Sequence, residues 1–269
     1  MTIASERQNP GSKTPSVSSA LARGLRLLAV FAEAPVWMSN SEISRRTDLP
    51  AATVARLTKS LTGMGFLHYS SSRRRFRLAP GVVRLGYGSR SETRILDSIR
   101  PHLQHLADHF RVHAGLAVLD ETEALYLEVC HSKATMVTLR LEAGSKLPLA
   151  GTPVGHALLW CLDRERRAEL TRELARSHGP DWETLAPVLE AGLSKLDTHG
   201  YTTSSAGWHP DVLGVAVPLQ PTEQAGAMAL SCGVARGHMQ ASELETLGAE
   251  LLRFAQMVSL RHQGEETAP

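Results

Sequence analysis

Apolar positions in the first ninety residues fall first at helical spacing and then in strict alternation. In SSALARGLRLLAVFAEA, Leu21, Leu25, Leu28 and Ala32 recur every three to four residues, with Phe31 beside them. This predicts an amphipathic helix that Pro35 stops. Ser39 and Glu42 have the spacing of a capping box, so a short second helix starts there, turns Ile43 inward and ends at Thr47-Asp48-Leu49-Pro50. A third helix fits Ala51 to Thr62, where Val54, Leu57 and Leu61 make one apolar stripe. Ala52, Arg56 and Lys59 fall on its opposite face, and Thr53 lies on a flank. Gly63 and Gly65 suit the helix end. Phe66–Tyr69 and Arg75–Leu78 then read as two strands around a turn at Ser70–Arg74. In the second strand Phe76 and Leu78 share one face, and Arg75 and Arg77 the other.

Beyond residue 90 the pattern predicts a second set of elements. A long helix over Glu92–Arg111 carries Ile95, Ile99, Leu103, Leu106 and Phe110 on one face. Strand-like runs follow at Ala114–Leu119, Leu125–Val129 and Thr135–Leu141, then a helix with Val154, Leu158, Trp160 and Leu162. Helices fit Arg164–Ala175 and Trp182–His199, the latter closed by Gly200. Val212–Leu219 and Ala225–Gly233 are further strands, and a last helix starts at Ser242, with Glu245 completing a capping box, and ends near His262. Strands interleaved with terminal helices predict an α+β unit with a mostly antiparallel sheet.

Charge divides the chain in the same place. Residues 1–90 carry 14 Lys and Arg against 4 Asp and Glu, whereas the remainder carries 15 against 23. The first part therefore meets a polyanion and the second does not. Only 13 of the 269 residues are aromatic, which disfavours a single-strand binder built on stacking platforms. No apolar run approaches the ~18 residues of a membrane span, and the first 16 residues lack the apolar core of a secretory signal. Three widely spaced cysteines, Cys130, Cys161 and Cys232, give neither a disulfide framework nor a Cys-rich zinc site. The expected compartment is the cytoplasm.

Helix, helix, tight turn, helix and basic hairpin is the order of a winged helix-turn-helix. Phosphates dominate affinity for duplex DNA, so cations must surround the reading helix, and short or bidentate side chains must lie on its exposed face. The expected DNA-binding residues are Arg23, Arg45, Ala52, Thr53, Arg56, Lys59, Arg73, Arg74 and Arg75. Of these, Arg56 is the candidate base reader. Thr53 and Lys59 serve base edges or phosphates, Arg23 and Arg45 phosphates, and Arg73–Arg75 phosphates or the minor groove at the wing. The competing reading is a basic protein-interaction module with a solvated charged face.

The same residues resemble a known family. SALARGLRLLAVF, SNSEISRRTDLP, ATVARLTKSLTGMGFL and FRLAPGVVRLG are similar to the winged helix domain of the IclR family of bacterial transcriptional regulators. IRPHLQHLADHF, HAGLAVLD, ALYLEVCHS, GSKLPLAGTPVGHALL, HGYTTSSAGWHPDVLGVAVPL and AGAMALSCGV look like its effector domain. The resemblance covers about residues 17–262. It implies a mainly α winged helix-turn-helix domain joined by a linker helix to a GAF-like α+β effector-binding domain. It also implies homodimers or homotetramers on a palindromic operator and control by a small organic or aromatic acid. The expected division is a tail over 1–16, the DNA-binding domain over 17–88, a continuous linker helix over 89–100, the effector domain over 101–264 and a tail over 265–269.

In that frame GSKLPLAGTPVGHALL reads as an anion site, because Thr152 can cap the next helix and Pro153 suits its first position. Free N–H groups there would hold a carboxylate. The expected effector residues are Leu149, Ala150, Gly151, Thr152, Gly155, His156, Trp208, Gly214, Val215, Ala216, Ser231 and Cys232. Many members of the family have Gly-Lys where this chain has Gly155-His156, and acidic residues where it has Thr202–Trp208. The departures imply a less acidic pocket flanked by Trp208, suited to an aromatic or anionic ligand.

His102, His105 and His109 share a helical spacing that could hold a metal, but no second ligand set accompanies them, so a partly exposed helix face is the expected reading. No cofactor is expected. Cys232 and Cys130 read as inert buried residues, although His131 and Lys133 flank the latter. The chain has no GxSxG, GxxxxGK[ST], HExxH or GxGxxG, so neither a hydrolase nor another enzyme is expected. A ligand-binding scaffold without DNA binding is the remaining alternative, and the intact basic face argues against it.

Overall fold

Charge and periodicity divide the chain near residue 90, and the computed structural model forms two compact units, Met1–Glu92 and Thr93–Pro269. It describes residues 19–32, 37–90, 94–133, 141–204, 211–220 and 226–266. The first unit runs α1 (Ser19–Ala29), α2 (Asn40–Thr47), α3 (Ala51–Gly63), β1 (Leu67–Ser70), β2 (Arg75–Leu78) and α4 (Pro80–Arg90). The capping box of α2 is present as expected. Ser39 Oγ accepts from the Glu42 amide, and the Glu42 carboxylate accepts from the Ser39 amide at 2.7 Å. Asp48 closes α2 in the left-handed region, so α3 restarts after a three-residue turn. Leu27, Phe31, Met38, Ile43, Leu49, Val54, Leu67 and Phe76 form the core.

The structure corrects the first helix. It ends at Ala29 rather than at Pro35, which lies outside the described residues; Leu27 makes its inward side, and Phe31 enters the core from the turn that follows. Leu21 and Leu25, expected inside, are 60% and 57% exposed. Two apolar stripes wind round this helix, and spacing alone does not say which one packs.

The hairpin pairs Leu67 with Leu78 and Ser70 with Arg75, and Met38 adds a bridge to Phe76 on the outer side of β2. Gly81 opens α4 so close to the α3–β1 turn that a Cβ there would lie 2.3 Å from the Gly65 carbonyl oxygen. The helix expected across 89–100 falls partly on residues 91–93, outside the described residues; the chain is helical up to Arg90 and again from Arg94.

The second unit begins with α5 (Arg94–Phe110), β3 (His113–Asp120), β4 (Glu123–His131) and β5 (Lys146–Pro148). Helices α6 (Pro153–Trp160), α7 (Arg164–His178) and α8 (Trp182–His199) follow in sequence. The unit closes with β6 (Thr202–Thr203), β7 (Val212–Leu219), β8 (Met228–Ala235) and α9 (Ala241–Glu266). The strands form one antiparallel sheet in the order β5-β4-β3-β8-β7-β6.

Alternation along β7 and β8 gives this sheet two apolar faces. Val215, Val217, Leu230 and Cys232 pack with α5 and α9, whereas Ala216 and Ala229 pack with α6, α7 and α8. The expected strand over Thr135–Leu141 falls mostly on residues 134–140, outside the described residues. The short edge strands β5 and β6 had no signal of their own in the sequence.

The last helix starts one residue early and runs past His262 to Glu266. Its capping carboxylate is Glu243, which accepts from the Gln240 amide at 2.8 Å, while Glu245 accepts from the Tyr201 hydroxyl. Among the described residues no helix is long and apolar enough to cross a membrane.

Candidate functional site

Helix α3 turns inward on Val54 and Thr58, which are fully buried, and the Thr58 hydroxyl donates to Asn40 Oδ1 of α2 at 3.2 Å. That contact fixes the two helices of the turn against each other. The opposite face is left to solvent: Ala52, Ala55, Arg56 and Lys59 are exposed and Thr53 is half-buried. These include four of the expected reading residues, on one face of one helix. Arg45 is exposed on α2, where it borders a cleft of about 330 Å³ with Arg46, Met38 and Glu42. Arg23 lies half-buried on α1.

The wing differs from the expectation at one arginine. Arg75 does not stand with the outer cations. Its guanidinium donates to the Trp37 carbonyl at 3.0 Å and to Glu42 at 3.2 Å, tying the base of the wing to α2. The Glu42 carboxyl, held by the Ser39 hydroxyl and amide and faced by Arg75, is pulled down to about 2. Arg74 sits at the hairpin tip with φ +52°. Arg73 and Arg77 place their guanidiniums 5.5 and 5.1 Å from the centre of the Trp37 ring. Trp37 was missed in the sequence, because a lone tryptophan between two predicted helices has no period. It organises the cations of the wing by cation–π contact.

In the second unit Thr152 caps α6 as expected, accepting from the Gly155 amide at 3.1 Å, with Pro153 at the first position. This capping also thins the anion site. Proline has no N–H and the Gly155 amide is taken, so of the first three helical amides only Val154 remains. Leu149, Ala150 and Gly151 are buried beneath the helix start, and a Cβ on Gly155 would lie 2.2 Å from the Leu149 carbonyl oxygen.

His156 is buried. Its Nε2 lies 2.7 Å from the Ala150 carbonyl oxygen, its Nδ1 abuts Gly192 of α8, and burial lowers its basicity. Trp208 lies outside the described residues.

The strand residues expected in the pocket divide between the two faces of the sheet. Gly214, Ala216 and Ser231 share the face under α6, where Pro153 Cγ stands 3.4 Å from a Cβ built on Gly214. Val215 and Cys232 point the other way into the core against α5 and α9, and burial alone pushes the Cys232 thiol well up. The correction follows from the period of two, because consecutive strand residues cannot line one pocket.

The α6 face is floored by small residues, Gly115, Ala117, Ala216, Ala229 and Ser231, and Tyr126 lies across it. Its ring rests on Gly115 and its hydroxyl is 2.8 Å from Ser231 Oγ. Burial pushes the phenol up to about 12. At the end of the same face His113 covers Gly233. Burial, with His131 at a centroid distance of 6.3 Å, pushes its imidazole down to about 4. Tyr126 and His113 were missed because their strands read as ordinary apolar alternation.

His102 stacks on Phe254 at 4.9 Å, and His105 on His109 at 6.0 Å. Among the described residues no three metal-ligating side chains converge.

Residues 20–71 match the family model described as the IclR helix-turn-helix domain, and residues 88–260 match that of the bacterial transcriptional regulator IclR C-terminal. The chain is 28% identical over 238 residues to the Pca regulon regulatory protein of Pseudomonas putida, covering 86% of this chain and 79% of that protein. An IclR family transcriptional regulator from Brucella abortus superposes with a TM-score of 0.80 at 30% identity, over 95% of this chain and 96% of the other. An IclR homologue from Microbacterium hydrocarbonoxydans, solved with 4-hydroxybenzoate, gives a TM-score of 0.73 at 26% identity, over 91% and 98%.

Proposed function

The chain belongs to the IclR family of bacterial transcriptional regulators, and from that premise we propose that it controls a catabolic operon in response to a small aromatic acid. It is a regulator with a helix-turn-helix and an effector-binding domain, not an enzyme. The observation that carries the proposal is the exposed Ala52-Arg56-Lys59 face of α3 beside a wing whose arginines gather on Trp37. In this reading α3 enters the major groove of double-stranded DNA, with Arg56 on a base edge and Lys59, Arg45, Arg73 and Arg74 on phosphates. Arg75 serves the wing from within. The protein works in the cytoplasm, where its operator lies.

The aromatic acid is supported by two relatives, one named for the Pca regulon and one crystallised with 4-hydroxybenzoate. Within this chain the effector meets the small-residue floor at Ser231, below Thr152 and Pro153 at the start of α6. A palindromic operator requires two-fold symmetry, and the exposed Leu21 and Leu25 of α1 give each protomer a self-complementary apolar stripe for a homodimer or homotetramer.

The test is binding of the full chain to its own upstream DNA and to a scrambled duplex at two salt concentrations, with and without benzoate, 4-hydroxybenzoate and 3,4-dihydroxybenzoate. Sequence-dependent binding that weakens steeply with salt and shifts with one of the acids is the expected result. Equal binding to both duplexes, or indifference to every acid, counts against the corresponding half of the proposal.

A further inference from the structure

Tyr126 and Glu128 stand two residues apart on β4, and both are buried. In a regular strand they would share a face. They do not, because the register with β3 slips between them. Leu116 pairs with Glu128 but Ala117 pairs with Tyr126, so Leu127 is an extra residue. This is a β-bulge, which leaves one residue unpaired and interrupts the ladder locally.

Tyr126 consequently joins the face under α6 and α8, with its ring on Gly115 and its hydroxyl on Ser231. Glu128 faces the other way, towards α5. Its Oε2 accepts from Arg100 Nη1 of α5 at 2.8 Å. Two further contacts tie the end of β4 to the same helix. Gln104 Nε2 donates to the His131 carbonyl at 3.0 Å, and Cys130 Sγ lies 3.8 Å from the Arg100 carbonyl oxygen. Glu128, Cys130 and His131 of β4 thus connect the strand that carries Tyr126 to the opposite helix.

We propose that Tyr126 is the residue that reads effector occupancy, and that the bulge at Leu127 carries its displacement through Glu128 and Arg100 to α5. The proposal rests on the reading of the α6 face as the effector site. An acid or hydroxyl group arriving at this floor competes with Tyr126 for the Ser231 hydroxyl. A buried phenol that loses its partner is unfavourable unless it moves to a new one.

The ring has no slack beneath it. A Cβ on Gly115 would meet Tyr126 Cδ1 at 2.9 Å and the Glu128 carbonyl oxygen at 2.7 Å, so ring and strand rest directly on β3. Movement therefore passes along β4, and the unpaired Leu127 is where a ladder can yield without breaking its flanking pairs. Glu128 is 8% exposed, so its carboxylate follows the strand, and its contact on α5 is the Arg100 guanidinium, whose side chain is 62% exposed.

Two measurements on the full chain test this. The first needs no ligand: hydrogen exchange of α5 amides in the wild type, Tyr126→Phe, Ser231→Ala and Arg100→Met. Both Tyr126→Phe and Ser231→Ala should speed exchange around residues 96–104 severalfold. Tyr126→Phe should add nothing further in the Arg100→Met background, where the link is already cut. A change confined to β3, β4 and β8, with α5 untouched, would mean that Tyr126 is a packing residue only and would overturn the proposal.

The second uses 4-hydroxybenzoate as the probe. Glu128→Gln and Arg100→Met should bind it within twofold of the wild type, yet lose at least fivefold of its effect on operator affinity. A full response in both variants overturns the relay. If the wild type binds no aromatic acid, the proposed effector class falls, and the ligand-free exchange still decides the relay.

Discussion

The two units expose their chemistry in opposite ways. In the first, the residues offered to the partner stand in solvent on α3 and the wing, and the core beneath them only holds them still. In the second, the polar groups of the candidate site, Tyr126, Ser231 and Thr152, are themselves buried among apolar neighbours. DNA is large and charged, so it is met by a surface. A small ligand is met by enclosure, where a few polar groups act in dry surroundings. The consequence is a difference in tolerance. The first unit should lose function without losing its fold, and the second should lose its fold first.

The largest effect expected from this difference is at Gly155. A methyl there would lie 2.2 Å from the Leu149 carbonyl oxygen and 2.3 Å from its Cα, so backbone must move. Gly155→Ala should destabilise the second unit by about 3 kcal/mol or more, since overpacking against backbone has no rotamer to relieve it. Gly63→Ala at the end of α3 meets nothing within 4 Å and should be neutral or slightly stabilising. Urea unfolding of the two variants measures both. Equal losses would erase the contrast.

Next comes acid sensitivity, where the sign can be worked out. His113 has a folded value of about 4, set first by burial and then by His131, against 6.5 in the unfolded chain. The unfolded chain therefore takes up the proton first as pH falls. The stability contributed by the neutral ring is complete above 6.5 and is lost progressively down to about 4, amounting to about 3 kcal/mol. Unfolding curves at pH 7.5, 5.5 and 4.5 should show the loss in the second unit, and His113→Gln should flatten it. A second unit equally stable at pH 7.5 and 4.5 would refute this.

How much of this was legible in the sequence follows the same division. The exposed face of α3 was readable because charge and helical period both report on a surface: Val54 and Leu57 turn in, so Arg56 and Lys59 turn out. The capping boxes and proline positions were readable because they are local, as at Ser39-Glu42 and Thr152-Pro153. The buried site was not. Val215 and Cys232 were named with Ala216 and Ser231, although a strand alternates, because no sequence signal says which face meets α6. Tyr126 was invisible because its orientation depends on a bulge, and a bulge is a register slip against β3 rather than a local motif. Leu21 and Leu25 misled for a related reason: a helix with two apolar stripes leaves the choice to its neighbours.

A middle-sized effect concerns base reading. Arg56 is exposed in the centre of the α3 face, with no role in the core. Arg56→Ala should cost roughly 10–100-fold in affinity for the operator while leaving scrambled-duplex binding and the melting temperature almost unchanged. Lys59→Ala should weaken both duplexes alike and reduce the salt slope by about one. Uniform loss from Arg56→Ala would demote it to a phosphate contact.

The smallest effect sharpens the contrast most, because it asks whether the first unit has any structural weak point near its surface. Glu42 joins the α2 cap to the wing through Arg75, and its carboxyl sits at about 2 against an ordinary 4.5. A depressed carboxylate contributes its stability above the unfolded value and loses it as pH falls from 4.5 towards 2. The pair is solvent-accessible, so its contribution to global stability is small. Its local effect is on position: without it nothing holds the Arg75 guanidinium against α2. Glu42→Gln should therefore leave global unfolding nearly unchanged at pH 7, yet speed amide exchange at Met38 and Phe76, whose mutual hydrogen bonds seat the wing. Operator affinity should fall only a few-fold, because Arg73 and Arg74 keep their charge and lose only their alignment. If exchange at Met38 and Phe76 does not change, Arg75 is free to serve DNA directly, and the wing is held by Trp37 and the β-bridge alone.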